Sequence, residues 1–283
     1  MNNVLLLLFC LAAGAVLRAS GRVPPDGYQT INAFVINISL PALALLQIPR
    51  LPFSGLLLIP ISMPWLMFAV VTATMWVIGK RLRLRRPTTG ALILTAGLAN
   101  TSFMGVPMIE AFYGRPYMGI GLLIDQLGTY LVLSTLGLAV ACLCSQGTAS
   151  ASDIARRVAT FPPLIALVVA VALAAGHVAY PPVVTTLLER LAATLAPLAL
   201  VSVGLQLRLS ALKGYLGELS LGLGVKLVAA PLLLVLLYVW LIGVNGDLTR
   251  VTIFEAAMGP QIGGAIVATQ YDLDPPLERL PIR

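Results

Sequence analysis

Residues 53–78 run for about seven helical turns without one charged side chain. Such stretches recur along the chain, near 3–17, 28–48, 53–78, 90–113, 117–143, 161–177, 184–206, 217–242 and 249–270. Charged residues make up 10% of the 283 and hydrophobic ones 59%, where average soluble domains carry about 25% charged residues. A water-soluble fold cannot hide this much apolar surface, so the sequence predicts a polytopic protein with about nine spans. The runs are continuous and far longer than barrel strands, which makes them helices and the fold class all-α. The first run lacks a basic segment before it and is followed by many more spans, so it reads as a retained helix rather than a cleaved signal.

The net charge of +7 follows membrane topology rather than nucleic-acid binding. Thirteen of the eighteen basic residues fall on one predicted side: Arg18, Arg22, Lys80, Arg81, Arg83, Arg85, Arg86, Arg156, Arg157, Arg208, Lys213, Arg279 and Arg283. The other side holds Arg50, Arg115, Arg190 and Arg250, and Lys226 lies inside a span. The bias predicts an inner-membrane protein with its N-terminus outside and its C-terminus cytoplasmic. Cys10, Cys142 and Cys144 lie in or beside apolar runs, and His177 stands alone, so neither a disulfide framework nor a metal site is expected. No HExxH or GxSxG pattern supports an intramembrane enzyme.

The polar loop 145–161 divides the chain into two halves, 1–150 and 151–283. Five spans precede the second half, which therefore enters the membrane from the opposite side. This predicts inverted-topology repeats. Span four carries Asn100, Thr101, Ser102, Gly105 and Pro107 at its middle, and span nine carries Gly259, Pro260, Gln261, Gly263 and Gly264. Glycine and proline weaken helices, and a broken helix survives in lipid only where protein or a watery cavity satisfies its backbone. Matching breaks in two inverted halves point to a transport site. Pro107 and Pro260 are expected to open new half-helices whose positive ends meet at the centre. Free amides there, with Asn100, Thr101, Ser102 and Gln261, suit a carboxylate. Asn37, before Pro41 in span two, is a further candidate for lining the site.

The runs NTSFMGVP (100–107), ISLPALAL (38–45), KLVAAPLL (226–233) and EAAMGPQIGGAIVATQYDLD (255–274) together resemble the auxin efflux carrier family of membrane permeases. The resemblance covers nearly the whole chain in order. It implies ten helices in two inverted five-helix repeats, crossed discontinuous helices four and nine around a central site, and transport of small organic anions. The family often has two adjacent prolines and an asparagine in span nine, where this chain has Gly259-Pro260-Gln261. The tail DPPLERLPIR contains no apolar run. The second half is thus expected to lack the mate of span five, through truncation or replacement by a partner subunit. A regulatory membrane protein of the same fold without transport activity is the alternative.

Two ionisable residues lie within spans, Asp125 in span five and Lys226 in span eight. Charges in a membrane usually face a cavity or a partner. They are expected to pair with each other, or Asp125 to carry a coupling proton or sodium ion; Lys226 has the further option of extending to the cytoplasmic surface. Glu110 and Glu255 are placed toward the outer ends of spans four and nine, and Glu189 is read as paired with Arg190. Gly14, Gly97 and Gly204 are read as packing positions. The expected partners are an organic anion and membrane lipid, with a homodimer possible and no cofactor.

Overall fold

A computed structural model describes residues 2–51, 54–145, 151–207 and 216–273. The described residues are predominantly helical and contain no strand beyond one isolated bridge. Helix α1 is Asn2–Ala19, α2 is Gly27–Arg50 and α3 is Gly55–Arg81. The first broken pair is α4 (Arg86–Ala96) and α5 (101–112). Then come α6 (Arg115–Cys144), α7 (Ala151–Ala159), α8 (Pro162–Ala175), α9 (Pro182–Gln206) and α10 (216–241). The second broken pair is α11 (Asp247–Ala256) and α12 (Ile262–Gln270). Among the described residues, α2, α3, α6, α9 and most of α10 are long and apolar enough to cross a membrane.

The loop between the two halves contains α7, which the polarity of 145–161 did not suggest. Residues 151–159 lack glycine and proline and include three alanines and two arginines, all strong helix formers. The tail after Leu273, on which the expectation of a missing tenth helix rests, lies outside the described residues.

Three prolines explain much of the local irregularity. Wide π-type turns occupy 35–39, 101–105 and 225–229. Each is followed two residues later by proline: Pro41, Pro107 and Pro231. A proline ring collides with the carbonyl four residues before it and offers no N–H. That carbonyl lies inside the wide turn each time, so the helix loosens without breaking.

Small residues set the closest helix contacts. A methyl group on Gly204 would lie 3.0 Å from the Gly14 Cα and still closer to the Leu11 carbonyl. Helix α1 thus rests backbone to backbone on α9, as small residues permit in lipid. A methyl on Gly97 would lie 2.9 Å from the Phe68 ring. The packing reading of Gly14, Gly97 and Gly204 agrees with this geometry.

Candidate functional site

The two breaks meet. Residues 97–100 and 257–261 leave the helical path and run antiparallel, forming a bridge between Ala99 and Pro260. The Asn100 N–H donates to the Gly259 carbonyl at 2.9 Å, and the Gln261 N–H donates to the Leu98 carbonyl at 3.2 Å. Pro260 occupies the one position of this ladder that needs no donor, where proline is tolerated. Each break thus supplies partners for the other, which removes the cost of unpaired backbone at membrane depth.

This geometry moves the prolines from their expected roles. Helix α5 resumes at Thr101, so Pro107 lies inside it rather than at its start. Pro260 lies in the bridge, and α12 begins at Ile262 with Gln261 before it. The physical reason is the wide turn at 101–105, which accommodates Pro107, and the bridge, which uses Pro260 in extended form.

The polar triplet divides its work. The Asn100 side-chain oxygen accepts from the Phe103 N–H at 3.2 Å and caps α5. The Thr101 hydroxyl donates to Asp125 Oδ1 at 2.6 Å, and the Ser102 hydroxyl donates to the same oxygen. Gln126 donates from Nε2 to Asp125 Oδ2 at 2.6 Å. The donors read as a carboxylate site do hold a carboxylate, but it is the protein's own. Asp125 is buried, on a wide turn of α6 at 124–130.

Asp125 and Lys226 do not pair directly. Lys226 is fully buried and donates from Nζ to the Ala256 carbonyl at 2.6 Å, with Met67 Sδ at 3.7 Å. It therefore does not extend to the surface. Its donor satisfies the Ala256 carbonyl, where α11 ends and a cation is favoured.

Sequence reasoning missed Glu255. It is not at an outer end: it sits in the last turn of α11, 0% exposed, and both carboxyl oxygens lack a hydrogen-bond partner. Its carboxylate lies over Gly105, where any side chain would collide with it, and a methyl on Gly121 would lie 3.3 Å from Oε1. It is within electrostatic reach of both Asp125 and Lys226. Two glycines on other helices, each shaped to leave room, were the available signal.

The remaining candidates scatter. A methyl on Gly259 would lie 3.6 Å from Met104 Sδ, and one on Gly263 would meet Leu133. Gln261 is partly buried, with Oε1 unpartnered. Asn37 does not join the crossing: it is exposed and donates to the Ala33 carbonyl on its own helix at 2.7 Å. Neighbouring Asn32 instead accepts from Ser202 of α9, and Ser39 bonds Thr194 at 2.7 Å. At one end of the bundle, Arg50, Glu110, Arg115 and Glu189 line an open cleft of about 240 Å³. There Glu189 faces Arg50 at 3.8 Å, and Glu110 faces Arg115 at 3.1 Å.

Apolar helices with two interrupted ones bonded at their breaks define a multi-pass membrane protein of the transporter class. The chain matches the family model described as membrane transport protein over residues 1–278 and belongs to that family, the one its motifs resemble. It is 27% identical to an uncharacterized transporter of Methanothermobacter thermautotrophicus over 96% of this chain and 89% of the relative. It is 26% identical to an uncharacterized transporter of Methanocaldococcus jannaschii, over 97% and 90%.

Proposed function

We propose that the protein is a secondary transporter that moves a small organic anion past the crossing by alternating access. Residues 1–150 and 151–283 act as inverted halves, with the N-terminus outside and the C-terminus cytoplasmic. The main-chain bridge between Asn100 and Gly259 carries this reading, because a break at membrane depth in each of two helices serves no anchoring purpose. The α5 and α12 N-termini, which start at the crossing, favour an anion. Thr101 and Ser102 contribute through Asp125, whose position they fix.

The test is flux of radiolabelled mono- and dicarboxylates into proteoliposomes. Wild type transports at least one, and Asn100→Ala transports none while remaining folded. The substitution also removes a helix cap, at about 1 kcal/mol, so Asn100→Ser, which keeps an acceptor, separates the roles. Wild-type flux in Asn100→Ala removes the site assignment.

A second reading, a cationic cargo, is favoured by one observation: two carboxylates, Asp125 and Glu255, are buried near the crossing with one cation, Lys226. Organic cations in the same panel decide between them.

A further inference from the structure

The three buried charged residues around the crossing are not equivalent in their bonding. Asp125 accepts from Thr101, Ser102 and Gln126, three donors aimed at two oxygens. That set is built for an ionised carboxylate. Lys226 has the Ala256 carbonyl and the Met67 sulfur, so its ammonium is solvated by protein. Glu255 has neither a donor nor an exposed edge. An ionised carboxylate without donors at this depth is the most costly of the three to hold, and a proton on it removes that cost.

Charge balance gives the consequence. Asp125 and Lys226 carry opposite charges that sum to zero without touching, and both are felt at Glu255. With Glu255 protonated the crossing is neutral, and with Glu255 ionised it carries one net negative charge. An entering anion meets repulsion in the second state only. The elements packed against α11 here are α3, α5, the start of α6 and, on α10, residues 230–235, which carry no ionisable group. Within the 58–78, 101–109 and 118–124 stretches of these helices there is no ionisable acid or base, so Asp125 and Lys226 are the charges that face Glu255.

We propose that Glu255 is the proton-carrying residue of this transporter: it binds one proton as the anion binds and releases it as the anion leaves, so the two move together. The proton bonds to a Glu255 oxygen from water on the loading side and returns to water on the other, with no other bond made or broken. Asp125 stays ionised as the fixed charge, and Lys226 is the tethered cation in place of a free one. Sodium is accordingly not the coupling ion. This inference rests on the organic-anion reading above.

Two measurements test it separately from that reading. The first needs no substrate: infrared spectra of the purified full chain in lipid, with and without ¹³C-labelled glutamate. The expected result is a protonated carboxyl C=O band near neutral pH that shifts with labelled glutamate, is absent from Glu255→Gln and persists in Asp125→Asn. No such band, or one that shifts only with labelled aspartate, overturns the proposal even if anion flux is robust. The second uses proteoliposomes and whichever carboxylate the panel identifies. An imposed gradient of about one pH unit raises wild-type accumulation about tenfold, and a sodium gradient at uniform pH leaves it unchanged. In Glu255→Gln the ratio of accumulation with and without the pH gradient falls to one, whatever the absolute rate. A sodium-driven wild type, or a Glu255→Gln variant that still follows the pH gradient, overturns it. Absence of any anion flux removes the functional reading instead, while the infrared result still reports on Glu255.

Discussion

The Thr101 hydroxyl donates to Asp125 Oδ1 at 2.6 Å, joining the first residue after a helix break to the middle of α6. Both groups are buried. A hydrogen bond to a charged group contributes about 1.5–3 kcal/mol. Thr101→Val is therefore expected to lower stability by about that amount, read as a reduced melting temperature of purified protein in detergent. Thr269→Val serves as the comparison. Its exposed hydroxyl donates only to the Ala265 carbonyl one turn back, so its loss changes stability by less than about 0.5 kcal/mol.

Gly105 has no room for a methyl group because the Glu255 carboxylate lies over it. Gly105→Ala is expected to cost about 1–3 kcal/mol through overpacking. Shortening the opposing side chain restores space, so Gly105→Ala combined with Glu255→Ala is less destabilised than the sum of the two changes. A double-mutant cycle on thermal unfolding measures the difference, and strict additivity contradicts the contact.

Glycines at the helix crossing and at the bridge differ in kind. Gly14→Ala and Gly204→Ala each push a methyl into the backbone of the opposing helix, which cannot rotate away, and each is expected to lower the melting temperature markedly. Gly259→Ala meets Met104 Sδ at an ordinary 3.6 Å. It is expected to change stability by less than about 1 kcal/mol, and melting curves for the three variants rank them.

The Arg50–Glu189 pair spans 3.8 Å with both side chains more than half exposed. Pairs of this kind contribute about 0–1 kcal/mol. Glu189→Ala is expected to leave the melting temperature within a degree or two of wild type, and its small effect should vanish in high salt.

Much of this was legible in the residues. Apolar run length pointed to an all-helical membrane protein, and polar, glycine and proline residues in mid-run marked the two interrupted segments. What the one-dimensional pattern could not convey was register in three dimensions. Thr101 and Ser102 read as free donors because Asp125 lies more than twenty positions away, and only the packing of α5 on α6 aims them at it. Pro107 read as a helix start because the rule for proline assumes an α-helical turn, and here the preceding turn is wide. Glu255 read as lying toward the outer end of its span because its depth depends on where α11 stops, which the bridge to Leu98 and Asn100 decides. Asn37 read as a site residue from its nearness to Pro41, but helix rotation points it outward.

The bridge from 98–100 to 259–261 is made wholly of main-chain atoms. Substitution of a side chain cannot delete an amide or a carbonyl, apart from a change to proline at a donor position. The crossing can therefore stay fixed through long divergence while the side chains around it drift. Descendants of such a chain are free to acquire new cargoes by altering what surrounds these few peptide groups, without having to reinvent the place where the two helices meet.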